Sequence, residues 1–200
     1  AKLAMLSAME KDWYNPSSLY TPGQQASGTL MDARVRIAHC LGCLPKEIYF
    51  TSGGSEADNQ AILSAAAIGK RQGKMHIIST AFEHHAVLHT LKKLEKEGFE
   101  ITLLDVGEKG IVSPVQVEKA IRPDTILVTV MYANNEIGTI QPIREIGAIC
   151  RKNGVLFHTD AVQAAGHLQI NVEKDQIDML SLSAHKFNGP KGIGVLYAKT

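Results

Sequence analysis

The richest stretch of reactive side chains runs from Ser181 to Tyr197, Ser-Leu-Ser-Ala-His-Lys-Phe-Asn-Gly-Pro-Lys-Gly-Ile-Gly-Val-Leu-Tyr. An apolar strand over Ile177 to Leu182 leads out of regular structure into Ser183, His185 and Lys186. Asn188-Gly189-Pro190 then reads as a turn, and Gly194 to Tyr197 as a returning strand. A lysine just past a buried strand can lose its charge through desolvation or a neighbouring cation, and its amine then serves as nucleophile or Schiff-base partner. A solvated loop lysine is the plainer reading of the same position.

Four other strand ends carry reactive groups. Thr51-Ser-Gly-Gly-Ser55 precedes a helix; glycines there let backbone N–H groups approach an anion, and the helix dipole adds positive charge. Alternatively, Ser55 is only an N-cap with Asp58 behind it. In Ala81-Phe-Glu-His-His85, His84 can stack on a ring or move protons, or simply cap the next helix, and His85 and His89 have a metal-ligand spacing. Ala133-Asn-Asn-Glu-Ile-Gly138 places two amides and a carboxylate directly behind an apolar strand, either as ligand contacts or as a turn signal. In His158-Thr-Asp160-Ala-Val-Gln163, Asp160 ends a strand with no Lys or Arg close in sequence. It calls for a cationic partner such as a protonated heterocycle, or it caps a short following helix.

These ends belong to an alternating series. Helices are expected over 1–11, 24–41, 56–72, 85–97, 114–121 and 143–152, and strands over 47–51, 75–79, 101–105, 125–131, 155–158, 177–182 and 194–197. Ser113 and Pro114 open one helix, and Asn153-Gly154 closes another. Several strands are apolar throughout and so buried on both faces. The fold class is α/β, a mostly parallel sheet in a three-layer α/β/α arrangement, whose ligands sit beyond the carboxyl ends of the strands.

Composition narrows the setting. The 200 residues carry 21 Lys and Arg against 20 Asp and Glu, a net charge of +1, with no basic run, which argues against nucleic acid. No apolar stretch is long enough to span a bilayer. Three cysteines suit a reducing, cytoplasmic compartment. The chain opens inside an expected helix without an initiator Met and closes directly after a strand, so it is expected to be part of a longer protein.

Together the five ends offer an anion cradle, an aromatic stacker, amides, an acid for a ring nitrogen and an amine for an aldehyde, which are the needs of pyridoxal 5'-phosphate. The segments Phe50–Asn59, Glu83-His84, Asn134–Gly138, His158–Gln163 and Ser183–Gly194 resemble the cysteine desulfurases, class V aminotransferase-like members of the fold-type I pyridoxal phosphate enzymes. The resemblance runs from about Asn15 to the end of the chain. It implies that residues 1–200 are most of the large cofactor domain, with the small C-terminal domain outside the chain. It further implies that Lys186 joins the cofactor aldehyde and removes the substrate α-proton, Asp160 pairs with the ring nitrogen, and His84 stacks on the ring. Asn135 and Gln163 would lie near the ring hydroxyl, and Gly54, Ser55, Ser183 and His185 would hold the phosphate. Ser55 stands where the family usually has Thr. L-cysteine is the implied substrate, alanine and an enzyme persulfide the products, a sulfur-acceptor protein the partner, and a homodimer the intact assembly. The persulfide cysteine and the substrate-binding arginine would follow this chain, so the 200 residues alone are expected not to turn over cysteine. A selenocysteine lyase or another pyridoxal phosphate β-lyase fits the same motifs. A metal hydrolase using His84, His85, His158, Asp160 and His185 would leave Lys186, the glycine turn and Gln163 without roles, so no metal is expected. Cys40-Leu-Gly-Cys43 is read as structural, on the burial habit of free cysteine.

Overall fold

The computed structural model describes residues 1–200. Seven strands, β1 (Ile48–Thr51), β2 (His76–Thr80), β3 (Glu100–Leu104), β4 (Thr125–Thr129), β5 (Leu156–Asp160), β6 (Met179–Ser183) and β7 (Gly194–Ala198), form one sheet in the order β1-β7-β6-β5-β4-β2-β3. The pairings from β6 through to β3 are parallel, and β7 runs antiparallel to both β1 and β6. Six helices accompany them: α1 (Lys2–Lys11), α2 (Thr21–Leu41), α3 (Gly54–Gln72), α4 (His85–Lys96), α5 (Pro114–Ala120) and α6 (Ile143–Asn153). The α/β reading of the sequence holds, with a mostly parallel mixed sheet between helices.

β2, β4 and β6 are buried along their whole length, because helices cover both faces. Period-2 alternation splits their side chains between two cores. Ile78, Val128, Val130, Phe157, Leu180 and Leu182 enter a cluster of 25 buried residues with α5 and α6. Ile77, Leu127, Met179 and Leu196 enter one of 14 with Ala57, Ala61, Ile62 and Ala65 of α3 and Leu91 and Leu94 of α4. The smaller core faces the site. Its helix α3 is alanine-rich, which lets backbone and sheet approach closely. α1 buries none of its residues.

Element ends depart from the sequence reading where a local rule was outweighed. α2 starts at Thr21, not Gln24, because Pro22 falls in its first turn, where its missing N–H costs nothing. β5 runs on to Asp160, so that carboxylate belongs to a strand residue. No helix follows it; residues 162–164 form a turn. α3 starts at Gly54, with Gly53 as N-cap, so Ser55 is not the cap. Glu56, not Asp58, reaches back across the turn, its Oε2 accepting from Ser52 N–H at 2.6 Å.

Candidate active site at the carboxyl edge of the sheet

The carboxyl ends of β1, β2, β4, β5 and β6 open on one cavity of about 250 Å³. Gly54, Ser55, His84, Asn135, Asp160, Gln163, Ser183, His185 and Lys186 all line it. Residues as far apart in sequence as Gly54 and Lys186 are brought together by sheet topology alone, since parallel strands deliver their ends to a common edge. Asp58, Met131 and Val162 complete the wall.

The anion cradle is built where β1 meets β7. Gly194 pairs with Thr51 on one side and Ser183 on the other. A Cβ on Gly54 would lie 2.6 Å from Val162 Cγ2, so a larger residue there would require the Val162 side chain to shift where α3 starts against the turn after β5. The first N–H groups of α3 have no intrahelical acceptor; Ala57 N–H is satisfied by Gly53 O at 3.1 Å. Gly54 and Ser55 therefore present free donors at the positive end of a 19-residue helix. Ser183 Oγ, 2.9 Å from His185 Nδ1, faces them.

Lys186 rides on a 3-10 turn, Ala184–Phe187. The turn is closed by Asn188 in the left-handed region (φ 65°) and by the N–H of Gly189, which donates to Ala184 O at 2.8 Å. The lysine lines the cavity yet is exposed to solvent, so this chain does not supply the desolvation expected of it. His84 is also exposed and caps α4, its Nδ1 accepting from Ala86 N–H at 3.1 Å. That bond leaves the proton of the neutral ring on Nε2. The capping and cavity roles of His84 are compatible.

The loops behind β2 and β4 are tied together. Glu83 Oε1 accepts from Thr80 Oγ1 and from Met131 N–H at 2.9 Å, while Oε2 has no partner. Burial pushes Glu83 up to about 8. Asn134 turns its amide inward, Nδ2 donating to Phe82 O and Oδ1 accepting from Glu136 and Ile137 N–H. Of the two amides, then, Asn134 shapes the loop and Asn135 faces the cavity.

Asp160 is 6% exposed. Its Oδ1 accepts from Val162 N–H at 2.9 Å. Burial raises its pKa; the Val162 N–H and the charges of His84 and Lys186 pull the other way. Beneath it, Thr129, His158 and Ser181 form a polar layer between the smaller core and the cavity. His158 Nδ1 lies 2.8 Å from Thr129 Oγ1 and Nε2 lies 2.9 Å from Ser181 Oγ. Burial holds His158 down at about 3, hence neutral.

Sequence reasoning gave Asp58 only a capping role behind Ser55 and did not anticipate this layer. The signal was available: Asp58 shares a helical face with Gly54, Ala61, Ile62 and Ala65, where an acid has no business unless it faces something polar. The metal-ligand reading gains no geometric support, since no three His, Cys, Asp or Glu side chains converge. His85 and His89 do stack, with ring centroids 5.5 Å apart. The cysteines are free and none lines the cavity. Cys150 is buried and Cys43 half-buried, but Cys40 is exposed, so the burial argument fails for Cys40.

A helix N-terminus facing a buried acid and a strand-end lysine, at the carboxyl edge of a mixed seven-stranded sheet, defines an α/β domain with an anion-accepting cavity at its strand ends. Residues 4–200 match the family model described as aminotransferase class-V, and the chain belongs to that family. Among its relatives is a cysteine desulfurase IscS of Methanosarcina thermophila, 54% identical over 98% of this chain and 48% of the relative. A putative cysteine desulfurase IscS 1 of Bacillus subtilis is 56% identical over 92% of this chain and 48% of the relative. The solved structure titled "SspA in complex with cysteine" superposes with a TM-score of 0.94 at 43% identity, covering 98% of this chain and 56% of that one. A NifS-like protein gives 0.94 at 39%, covering 98% and 54%. The chain spans about half the length of the curated relatives it matches.

Proposed function

We propose that this chain is most of the cofactor-binding large domain of a pyridoxal 5'-phosphate-dependent cysteine desulfurase. The intact protein would convert L-cysteine to L-alanine and pass the sulfur, as a persulfide on one of its own cysteines, to an acceptor protein for iron–sulfur cluster or thio-cofactor synthesis. The observation that carries this reading is the convergence of Lys186, Asp160 and the start of α3 on one cavity.

The residues fit the cofactor on two structural grounds. Gly54 and Ser55 open α3 with free backbone N–H groups at the cavity wall, as expected where backbone must approach a phosphate. Asp160 is a buried acid with a free oxygen toward the cavity and too few cations to balance it, which suits a protonated ring nitrogen. Pyridoxal phosphate, when bound, supplies an aldehyde and an electron-accepting ring. Gly54, Ser55, Ser183 and His185 would hold its phosphate, and His84 would cover a ring face. Asn135 and Gln163 would contact the ring hydroxyl. Asp160 would hold the ring nitrogen, and Lys186 Nζ would first secure the aldehyde and then, as a free amine, take the substrate α-proton. No cysteine of this chain is placed to receive sulfur, so a thiol elsewhere in the intact protein completes the reaction. A homodimer working in the cytoplasm is the setting that fits best. No helix is long and apolar enough to cross a membrane.

The test is reconstitution. Protein mixed with pyridoxal phosphate should acquire a visible absorption band that borohydride bleaches, with peptide mapping placing the reduced adduct on Lys186. Lys186→Ala should show no such band. An adduct on another lysine, or no band in the unmodified protein, would overturn the assignment.

A further inference from the structure

One acid in the cavity wall has no part in holding the cofactor. Asp58, on the second turn of α3, is 1% exposed. The ionisable groups facing it are Asp160 and His158 from β5 and Glu83 from the loop before α4, with the Ser181 hydroxyl from β6. None is a fixed cation. Its Oδ1 has no hydrogen-bond partner and lies 3.7 Å from His158 Nε2. His158 is itself fully buried and anchored on its far side by Thr129.

Two anions behind one cavity wall do not coexist cheaply. A buried carboxylate without a counter-ion takes up a proton instead, and of two coupled acids the less supported one takes it first. Asp160 has the Val162 N–H as a donor and the charge of Lys186 nearby; no cation supports Asp58. At 3.7 Å His158 Nε2 is too far to hydrogen-bond Asp58, and it is already engaged by Ser181 Oγ at 2.9 Å, so the neutral ring offers Asp58 neither a donor nor a positive charge. A proton on Asp58 therefore removes the second buried charge that nothing around it balances.

We propose that Asp58 is a positioning residue that holds a proton at neutral pH, so that the Asp58–Asp160 pair carries a single negative charge, placed on Asp160 where it faces the cavity. The consequence for a ring nitrogen rests on the cofactor reading; the proton on Asp58 does not. Any device that ionised Asp58 would add a second anion beneath the ring and change the electrostatics at Asp160 without touching a ligand.

The experiment is carbon NMR of the protein labelled at the aspartate carboxyl carbon, titrated through neutral pH with and without added pyridoxal phosphate. One aspartate signal should keep the shift of a protonated carboxyl at neutral pH, and it should vanish in Asp58→Asn. In Asp160→Asn the same signal should titrate at lower pH, because its anionic neighbour is gone; this readout does not depend on Asp58→Asn folding. Added pyridoxal phosphate should leave the Asp58 signal protonated. A carboxylate shift for Asp58 at neutral pH, an unmoved midpoint in Asp160→Asn, or ionisation of Asp58 on cofactor addition would each overturn the proposal. Failure of the unmodified protein to take up pyridoxal phosphate would instead sink the cofactor reading, and the spectra of the cofactor-free protein would still decide the proton.

Discussion

Replacing Gly194 by alanine tests how tightly the anion cradle is built. The new Cβ would lie 2.5 Å from Gly53 C, 2.6 Å from Gly53 Cα and 2.7 Å from Leu182 O. All three are backbone atoms, so no rotamer relieves the overlap. Either β7 moves away from both neighbours, or the turn through Gly53 and Gly54 is pushed outward. Overpacking costs about 1–3 kcal/mol, and an all-backbone clash belongs at the upper end of that range. For a domain of this size, about 3 kcal/mol lowers the melting temperature by roughly 6–12 °C. Because the displaced turn carries Gly54 and Ser55, pyridoxal phosphate affinity should also fall by about tenfold or more, the equivalent of about 1.4 kcal/mol. Calorimetry of the cofactor-free protein reads the first effect, and a spectroscopic titration the second. Gly28→Ala is the control: it lies inside α2, its added methyl would meet no atom within 4 Å, and it should gain about 0.5–1 kcal/mol from helix propensity. A Gly194→Ala protein that melts with the wild type and binds the cofactor normally would show that the close approach at β7 is no constraint.

Three further outcomes follow from buried groups. Glu83 titrates at about 8 when folded against an ordinary value of 4.5, so its favourable contribution is complete below about 4.5 and disappears as pH rises to about 8. Glu83→Gln keeps the acceptor for Thr80 and Met131; urea midpoints across that window should fall for the wild type relative to the variant, and parallel slopes would count against the buried acid. His158 titrates at about 3 against 6.5, so the unfolded chain takes the proton first, and stability declines as pH drops from about 6.5 to about 3. At about 1.4 kcal/mol per unit the ceiling is several kcal/mol, and His158→Asn should flatten that limb of an acid-denaturation curve. Iodoacetamide should label exposed Cys40 in the native protein, whereas Cys150, buried and with its thiol pushed up, should react only after denaturation; peptide mass mapping distinguishes them.

The sequence carried the fold well because its strands are self-announcing. Thr125-Ile-Leu-Val-Thr129 is β-branched and apolar, and it is buried on both faces as such a run should be. Gly154, at φ 64°, ends α6 where an Asn-Gly pair says it should. Boundaries slipped where one signal had two meanings: Thr21-Pro22-Gly23 reads as a turn, yet proline also starts helices. In the site, residues at strand ends were legible from their position alone. What could not be read was the depth of each. Lys186 and His84 are exposed, while Asp58, buried within a helix, lines the cavity. Exposure depends on what packs above an element, and a linear pattern carries no information on that.

The one reversed strand has a consequence for how such a domain can change. Residues 184–193, which carry Lys186, leave from Ser183 and come back at Gly194, two positions that are themselves partners across the sheet. The arch is therefore pinned at both feet, and its second foot also touches the turn that opens α3. Lengthening the arch would loosen the amine, and re-registering β7 would drag the glycine turn with it. Amine and cradle share a single footing, so variation in one is paid for in the other, while a loop such as that around Gly107, which lines no part of the cavity, lies outside this coupling.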